Sequence, residues 1–249
     1  MSEVKRFADL AALTRAAAVE FAELARAAVQ QRGRFCVALS GGSTPRGLYA
    51  ALAERPFREQ IDWQRIEVFW GDERPVPPDD PESNYGMAWH ALLGEVGIPA
   101  ERIHRIRGER PDVRQAAREY QEEIARVFAI PADGAPPRFD LILLGMGPDG
   151  HTASLFSHSE ALGERQRWVV GHHVPSLRTD RITLTYPVLD RGREIRLLVA
   201  GSDKAATLHD VLEGPRDPER LPVQGVVPDS GRLIWMIDPA AAAKLGRTT

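Results

Sequence analysis

Four apolar, strand-like runs in this chain each break off into a polar loop that carries glycine, and no other feature constrains the fold as much. The runs cover residues 35–39, 66–70, 139–144 and 195–200, and their loops begin at Ser40, Gly71, Gly145 and Gly201. A run apolar at successive positions suits a strand buried on both faces, the setting of a parallel sheet covered by helices. Segments between the runs have helical spacing. Leu10, Leu13, Ala17, Phe21, Leu24 and Ala28 recur every three or four residues, with Gly33 as a stop. Ala117, Tyr120, Ile124 and Val127 share one face of a helix predicted over 113–128. Another helix is predicted to start at a Thr44 cap, with Pro45 in its first position, and to end before Pro56. Others run from a Ser83 cap through Leu93, over 204–212, and in the Ala-rich segment after a last strand at 233–237. A strand is also predicted over 181–186.

Strands alternating with helices make an α/β fold with a mostly parallel central sheet flanked by helices. The loop at 132–137 is too short to separate domains, so 1–249 reads as one domain. Ligands of such sheets bind beyond the carboxyl ends of the strands. The four polar loops are therefore expected to converge on one edge and form one site.

Composition narrows the ligand. Charged residues make up 27% of the chain, the net charge is -3, and no long basic run occurs. This argues against nucleic acid and acidic membrane surfaces as partners, and nothing indicates an obligate protein partner. No stretch nears the roughly 18 apolar residues of a membrane span, and the N-terminal segment lacks the apolar core of a signal peptide. The single cysteine, Cys36, lies in an apolar run and reads as a core thiol. One cysteine allows no internal disulfide, which suits the cytoplasm. A small anionic substrate would have to be caught by a few local cations.

The loops supply them. Ser40-Gly-Gly-Ser-Thr44 brings backbone N–H groups of Gly41 and Gly42, and hydroxyls of Ser40, Ser43 and Thr44, to a helix N-terminus. That is an anion cradle, or else only a tight turn. It lacks the lysine of a Walker A loop. Arg181 and Lys204, both placed at strand boundaries, strengthen the phosphate reading. Gly71-Asp-Glu-Arg74 offers either a local salt bridge or a charged site wall, with Arg74 polarising substrate oxygens and Asp72 touching substrate. Gly145-Met-Gly-Pro-Asp-Gly150 satisfies Gly-x-Gly-x-x-Gly, yet dinucleotide binding is set aside. The ribose-binding acid about 20 residues on is missing, the loop lies in mid-chain, and Asp149 and His151 put titratable groups where small neutral ones belong. His151 can instead take a proton from water near neutral pH, with Asp149 orienting it. The histidines show no metal-ligand spacing, so no metal and no cofactor are expected.

Several segments together resemble the 6-phosphogluconolactonase family: Ala38-Leu-Ser-Gly-Gly-Ser-Thr-Pro45, Phe69-Trp-Gly-Asp-Glu-Arg-Pro-Val76, Ser83-Asn-Tyr85, Leu143 to Phe156, Arg181-Ile-Thr-Leu-Thr185, Gly201-Ser-Asp-Lys204, and the tail from Pro222 to Trp235. The block from Asp149 to Phe156 is the most specific. Ser157 departs from the family's usual proline, which bears on local rigidity. The resemblance implies a modified Rossmann-like fold and cofactor-free hydrolysis of a phosphorylated sugar lactone. It implies His151 as general base, the serine-glycine loop, Arg181 and Lys204 on the phosphate, and Arg74 lining the site. Two other readings stay open. A glucosamine-6-phosphate deaminase-like enzyme would use Asp72 and His151, but that family's Phe-Asn-Glu-Pro is absent, since Ser154-Leu-Phe-Ser157 stands there. A non-catalytic sugar-phosphate sensor would need the anion loop but neither Asp149 nor His151.

Overall fold

The computed structural model describes residues 2–246. Strand β1 (Glu3–Arg6) leads into helix α1 (Leu10–Arg32). Asp9 caps α1 by accepting from the Ala12 N–H at 2.7 Å. Gly33, at φ 77°, closes it by donating to the Val29 carbonyl. Leu13, Ala17, Phe21 and Ala28 are buried as their spacing predicts, whereas Leu10 is 48% exposed because it sits in the first turn, beyond the sheet. Strands β2 (Phe35–Leu39) and β3 (Ile66–Trp70) take their predicted bounds and are buried throughout. Helices α2 (Ser43–Ala53) and α3 (Phe57–Gln60) join them.

Two-residue β4 (Asp72–Glu73) follows β3 directly. Ser83 caps α4 (Asn84–Ala88) as expected, its hydroxyl accepting from the Gly86 N–H. The helical path continues through a π-turn at Trp89–Leu93 to α5 (Gly94–Val96). Helix α6 (Val113–Phe128) has its predicted span, with Ala117, Tyr120 and Ile124 buried. Strand β5 (Leu141–Leu144) starts later than expected. Asp140 is drawn off to accept from the Cys36 N–H and to pair with Arg32, both at 2.8 Å.

Strands β6 (Val169–Val174) and β7 (Thr179–Leu184) form a hairpin, followed by α7 (Tyr186–Leu189), β8 (Glu194–Val199), α8 (Ala205–Glu213) and β9 (Arg232–Ile237). The Ala-rich helix expected after β9 is one 3-10 turn, Ala241–Lys244, and the rest of that expectation falls on 247–249, outside the described residues. Cys36 is 2% exposed, and burial pushes its thiol up to about 12, as suits a core residue.

Six strands form one parallel sheet in the order β1-β9-β8-β5-β2-β3. The chain winds outward from β2 to β3, then returns across β2 to β5 and continues through β8 to β9. Winding thus reverses between β2 and β5, and the loops leaving these two strands splay apart into a crevice. A second, antiparallel sheet, β4-β7-β6, stands at the same end. It is tied to the first by the Leu184 N–H, which donates to the Gly71 carbonyl at 2.8 Å.

Two buried tyrosines pin the strand ends that feed the crevice. The Tyr49 hydroxyl accepts from the Ser40 N–H and donates to the Ser40 carbonyl, at 2.9 and 2.8 Å. The Tyr120 hydroxyl does the same for Trp70, at 2.7 and 3.0 Å. Ser40 lies just past β2, and Trp70 ends β3, the edge strand of the sheet, so each phenol satisfies a backbone pair that would otherwise be buried without partners.

Asp190, at the end of α7, gives the fold a titration signature. Burial pushes its carboxyl up to about 7; the Val227 N–H, bonded at 2.7 Å, pulls it down, and Asp229 adds to the rise. Its folded pKa lies above the ordinary value, so the folded chain holds a proton that the unfolded chain releases. Stability from this group is complete below about pH 4 and lost as pH rises to about 7. Asp190→Asn should therefore match the parent in urea unfolding at pH 4 and exceed it by about 2 kcal/mol at pH 8, a figure reduced for solvent screening. An equal difference at both pH values contradicts this.

Candidate active site at the carboxyl edge of the sheet

On one side of the crevice, the chain leaves β2 through Ser40, Gly41 and Gly42. Gly41 faces Asn84 so closely that any Cβ would overlap the amide. Gly42 has φ 103°, a conformation that strongly favours glycine, and is itself the N-cap of α2. Thr44 is therefore not the cap, and Pro45 is the third helical residue, still in the turn where no N–H is required. Gly42 brings Ser43 and Thr44 inside the helix, no side chain caps it, and its first N–H groups stay available to an anion. The Ser40 hydroxyl is buried and has no hydrogen-bond partner among the described residues. A group of that kind on a cavity wall fits a ligand acceptor.

From β3 the chain passes Gly71 into β4. No ion pair joins Asp72, Glu73 and Arg74 among the described residues. Glu73 is 2% exposed and accepts from the N–H groups of Arg74, Asn84 and Tyr85 at 2.8 to 2.9 Å. Burial pushes its carboxyl up, against the pull of those N–H groups. It holds the loop. Asp72 is 6% exposed and accepts from Ser154 Oγ at 2.7 Å and from the Asn84 amide at 3.3 Å. Its carboxylate is largely committed to protein. Arg74 donates to the Glu82 carbonyl, while its Nε has no partner among the described residues.

Opposite lies the loop after β5. No helix occurs from 145 to 159, so Gly145-x-Gly-x-x-Gly150 does not open a helix as a dinucleotide loop must. Instead it folds back on itself. The Gly147 N–H donates to the His151 carbonyl at 2.9 Å, and His151 Nδ1 lies 2.5 Å from Asp149 Oδ1. Burial raises the Asp149 carboxyl, but the hydrogen bond and charge of His151 outweigh it and hold the group below its ordinary value. An ionised Asp149 takes the Nδ1 proton as a hydrogen bond, which leaves Nε2 as the imidazole's acceptor. A Cβ on Gly147 would run into this pair. Gly147→Ala should therefore stay folded yet lose at least about ten-fold in turnover by displacing the ring; parent-like kcat in a folded variant refutes that.

Arg181 is in the middle of β7, paired with His172 in register, and not at a strand boundary as expected. The reason is that pairing with β6 extends β7 back to Thr179, two residues before the predicted start. Burial first, and then the Arg74 guanidinium, lower the Arg181 pKa. The two cations thus sense one another. Lys204, in the 3-10 turn before α8, pairs with Asp203 at 3.0 Å.

Ser40, Gly41, Gly42, Ser43, Thr44, Asp72, Arg74, Asp149, His151, Arg181 and Lys204 all line one cavity of about 580 Å³. Convergence of the four loops, expected from the strand pattern, is what the structure shows. Ser154, Asn84 and Phe156 lie within the family-like motifs, but their letters alone assign them no role. The first two organise Asp72, and Phe156 stacks on the His151 ring. Their partners lie far off in sequence or depend on loop folding, so no spacing rule reveals them.

The reversed-winding parallel sheet, with helices on its faces, makes this a Rossmann-like α/β protein whose crevice is lined by cations and an Asp–His pair. A family model described as glucosamine-6-phosphate isomerases/6-phosphogluconolactonase matches residues 8–235, and the chain belongs to that family. A 6-phosphogluconolactonase of Synechocystis is 43% identical over 219 residues, 88% of each chain. One of Mycobacterium tuberculosis is 40% identical over 248 residues, 98% of each. The solved 6-phosphogluconolactonase of Trypanosoma cruzi superposes with a TM-score of 0.86 at 30% identity, covering 98% of this chain and 97% of that one.

Proposed function

We propose that this protein hydrolyses 6-phospho-D-glucono-1,5-lactone to 6-phospho-D-gluconate, the lactone-opening step of the oxidative pentose phosphate pathway. The observation that carries the reading is the free Nε2 of an Asp149-bonded His151 on the wall of a cavity that also holds the α2 N-terminus, Arg181 and Lys204. The names of the relatives point the same way.

The substrate's phosphate docks on the Gly41–Gly42 backbone, Ser40, Ser43, Thr44, Arg181 and Lys204. His151 Nε2 takes a proton from water as the water oxygen attacks C1. Arg74, with loop amides, stabilises the oxyanion that forms at the carbonyl oxygen. The intermediate collapses, the C1–ring oxygen bond breaks, and the departing oxygen receives the proton from the imidazolium. Asp149 keeps the imidazole in the tautomer this needs. Asp72 acts through its hydrogen bonds to Ser154 and Asn84, shaping the wall beside the sugar. The reading needs no cofactor, nucleic acid or protein partner, and residues 1–249 work as one domain. A cytoplasmic location goes with this reading; among the described residues no helix is long and apolar enough to cross a membrane.

The test is lactone hydrolysis measured against the spontaneous background, with freshly made substrate with and without its phosphate. Turnover of the phosphorylated lactone, with kcat/KM at least about 10²-fold lower for the unphosphorylated one, is expected from losing several charge-assisted bonds. Ammonia release from glucosamine 6-phosphate in place of lactone hydrolysis would assign the chain to deaminase chemistry. Tight binding of 6-phosphogluconate with no turnover would make it a sensor.

A further inference from the structure

We propose that Phe156 is a positioning residue for the general base: its ring, stacked on the His151 imidazole, sets the tilt that aims Nε2 at the water attacking the lactone. This rests on the lactonase reading of the site. The two rings have centroids 4.2 Å apart and planes 28° apart. The Asp149 hydrogen bond grips the imidazole at one edge only. An edge contact leaves the ring free to swing about the Nδ1–Oδ1 line, and that swing moves Nε2. A contact on the ring face removes the freedom. Phe156 can serve because it is fixed, being 5% exposed, whereas the His151 side chain is 28% exposed and open to the cavity.

The loop is built to return Phe156 to this place. Ala153 has φ 47°, a left-handed turn, and Thr152 and Leu155 bridge across it with the Leu155 N–H donating to the Thr152 carbonyl at 2.9 Å. Thr152 Oγ1 donates to the Gly145 carbonyl at 2.8 Å, which fastens the turn to the root of the loop. Ser154 is anchored on its other side by Asp72 and by Thr183 of β7. The chain therefore reverses between the imidazole and Phe156, and the phenyl ring comes back against it. Phe156 also offers a π face to the imidazolium that forms when water is deprotonated.

Steady-state kinetics of Phe156→Leu and Phe156→Tyr on the phosphorylated lactone separate positioning from mere packing. For F156L, kcat falls about ten-fold with KM within about two-fold of the parent, the pattern of a misaimed base with intact binding. F156Y keeps the ring and stays within about two-fold of the parent. Unchanged kcat in F156L overturns the inference, and so does an F156Y enzyme impaired as badly as F156L. If F156L does not fold, F156M is read by the same criteria. A parent enzyme without lactone turnover removes the lactonase reading and this inference together, whereas a fully active F156L removes the inference alone.

Discussion

His151→Asn is expected to lower kcat by about 10²–10⁴-fold, the range general-base assistance supplies, while KM changes little. Asparagine keeps a polar group of similar reach beside Asp149 but has no basic nitrogen. The site around it should persist. Gly147 leaves space there, Asp149 is about half exposed, and the loop is held by Thr152, Ser154 and the Val223 N–H, which donates to the Gly150 carbonyl at 2.9 Å. Calorimetry with 6-phosphogluconate should thus show near-parental binding. Full turnover in the variant means that another group removes the proton, and lost product binding means that the substitution has damaged more than the base.

The second large effect concerns Arg181→Met. Its guanidinium bonds the Asp180 carbonyl at 2.8 Å and reaches Thr179 Oγ1 only at 3.4 Å, with no carboxylate partner among the described residues. Burial and Arg74 both disfavour its charge. A cation kept in such a place costs the fold something, which binding sites commonly tolerate for the sake of a ligand. Methionine should then lower kcat/KM for the phosphorylated lactone by on the order of 10²-fold, as expected for lost charge-assisted bonds. The unphosphorylated lactone should be affected less than about two-fold, and the Tm should stay the same or rise. An equal loss on both substrates would put Arg181 at the reacting end of the sugar, and a clear fall in Tm would make it a structural cation.

What could be read from the sequence follows from where the decisive contacts lie. Strands β2 and β3 and helix α6 take their predicted bounds because each carries its own buried pattern over five or more residues. The crevice was also readable, since a parallel sheet sends its strand-end loops to one edge. Strand β6 was missed because Gly171 and two histidines interrupt its apolar run. Its stability comes from β7 and from α6, where Val113 leaves no room for a Cβ on Gly171. Two-residue β4 has no pattern at all and exists only through its register with Thr183 and Ile182. Strand β7 was placed two residues late, which put Arg181 at a boundary instead of mid-strand. Thr44 looked like a cap because hydroxyl residues usually fill that position, while Gly42 reaches it by a backbone angle that sequence does not display. Ser154 and Asn84 were visible as letters, but their hold on Asp72 spans 82 residues in one case and 12 in the other.

The paired phenol contacts of Tyr49 and Tyr120 carry a dynamic consequence. The amide protons of Ser40 and Trp70 are shielded by aromatic hydroxyls, so solvent can reach them only when a buried ring leaves its seat. Their hydrogen exchange should track opening of the core and not the fraying of neighbouring loops. The rim of the crevice is in this sense moored at two points as deep as the sheet itself.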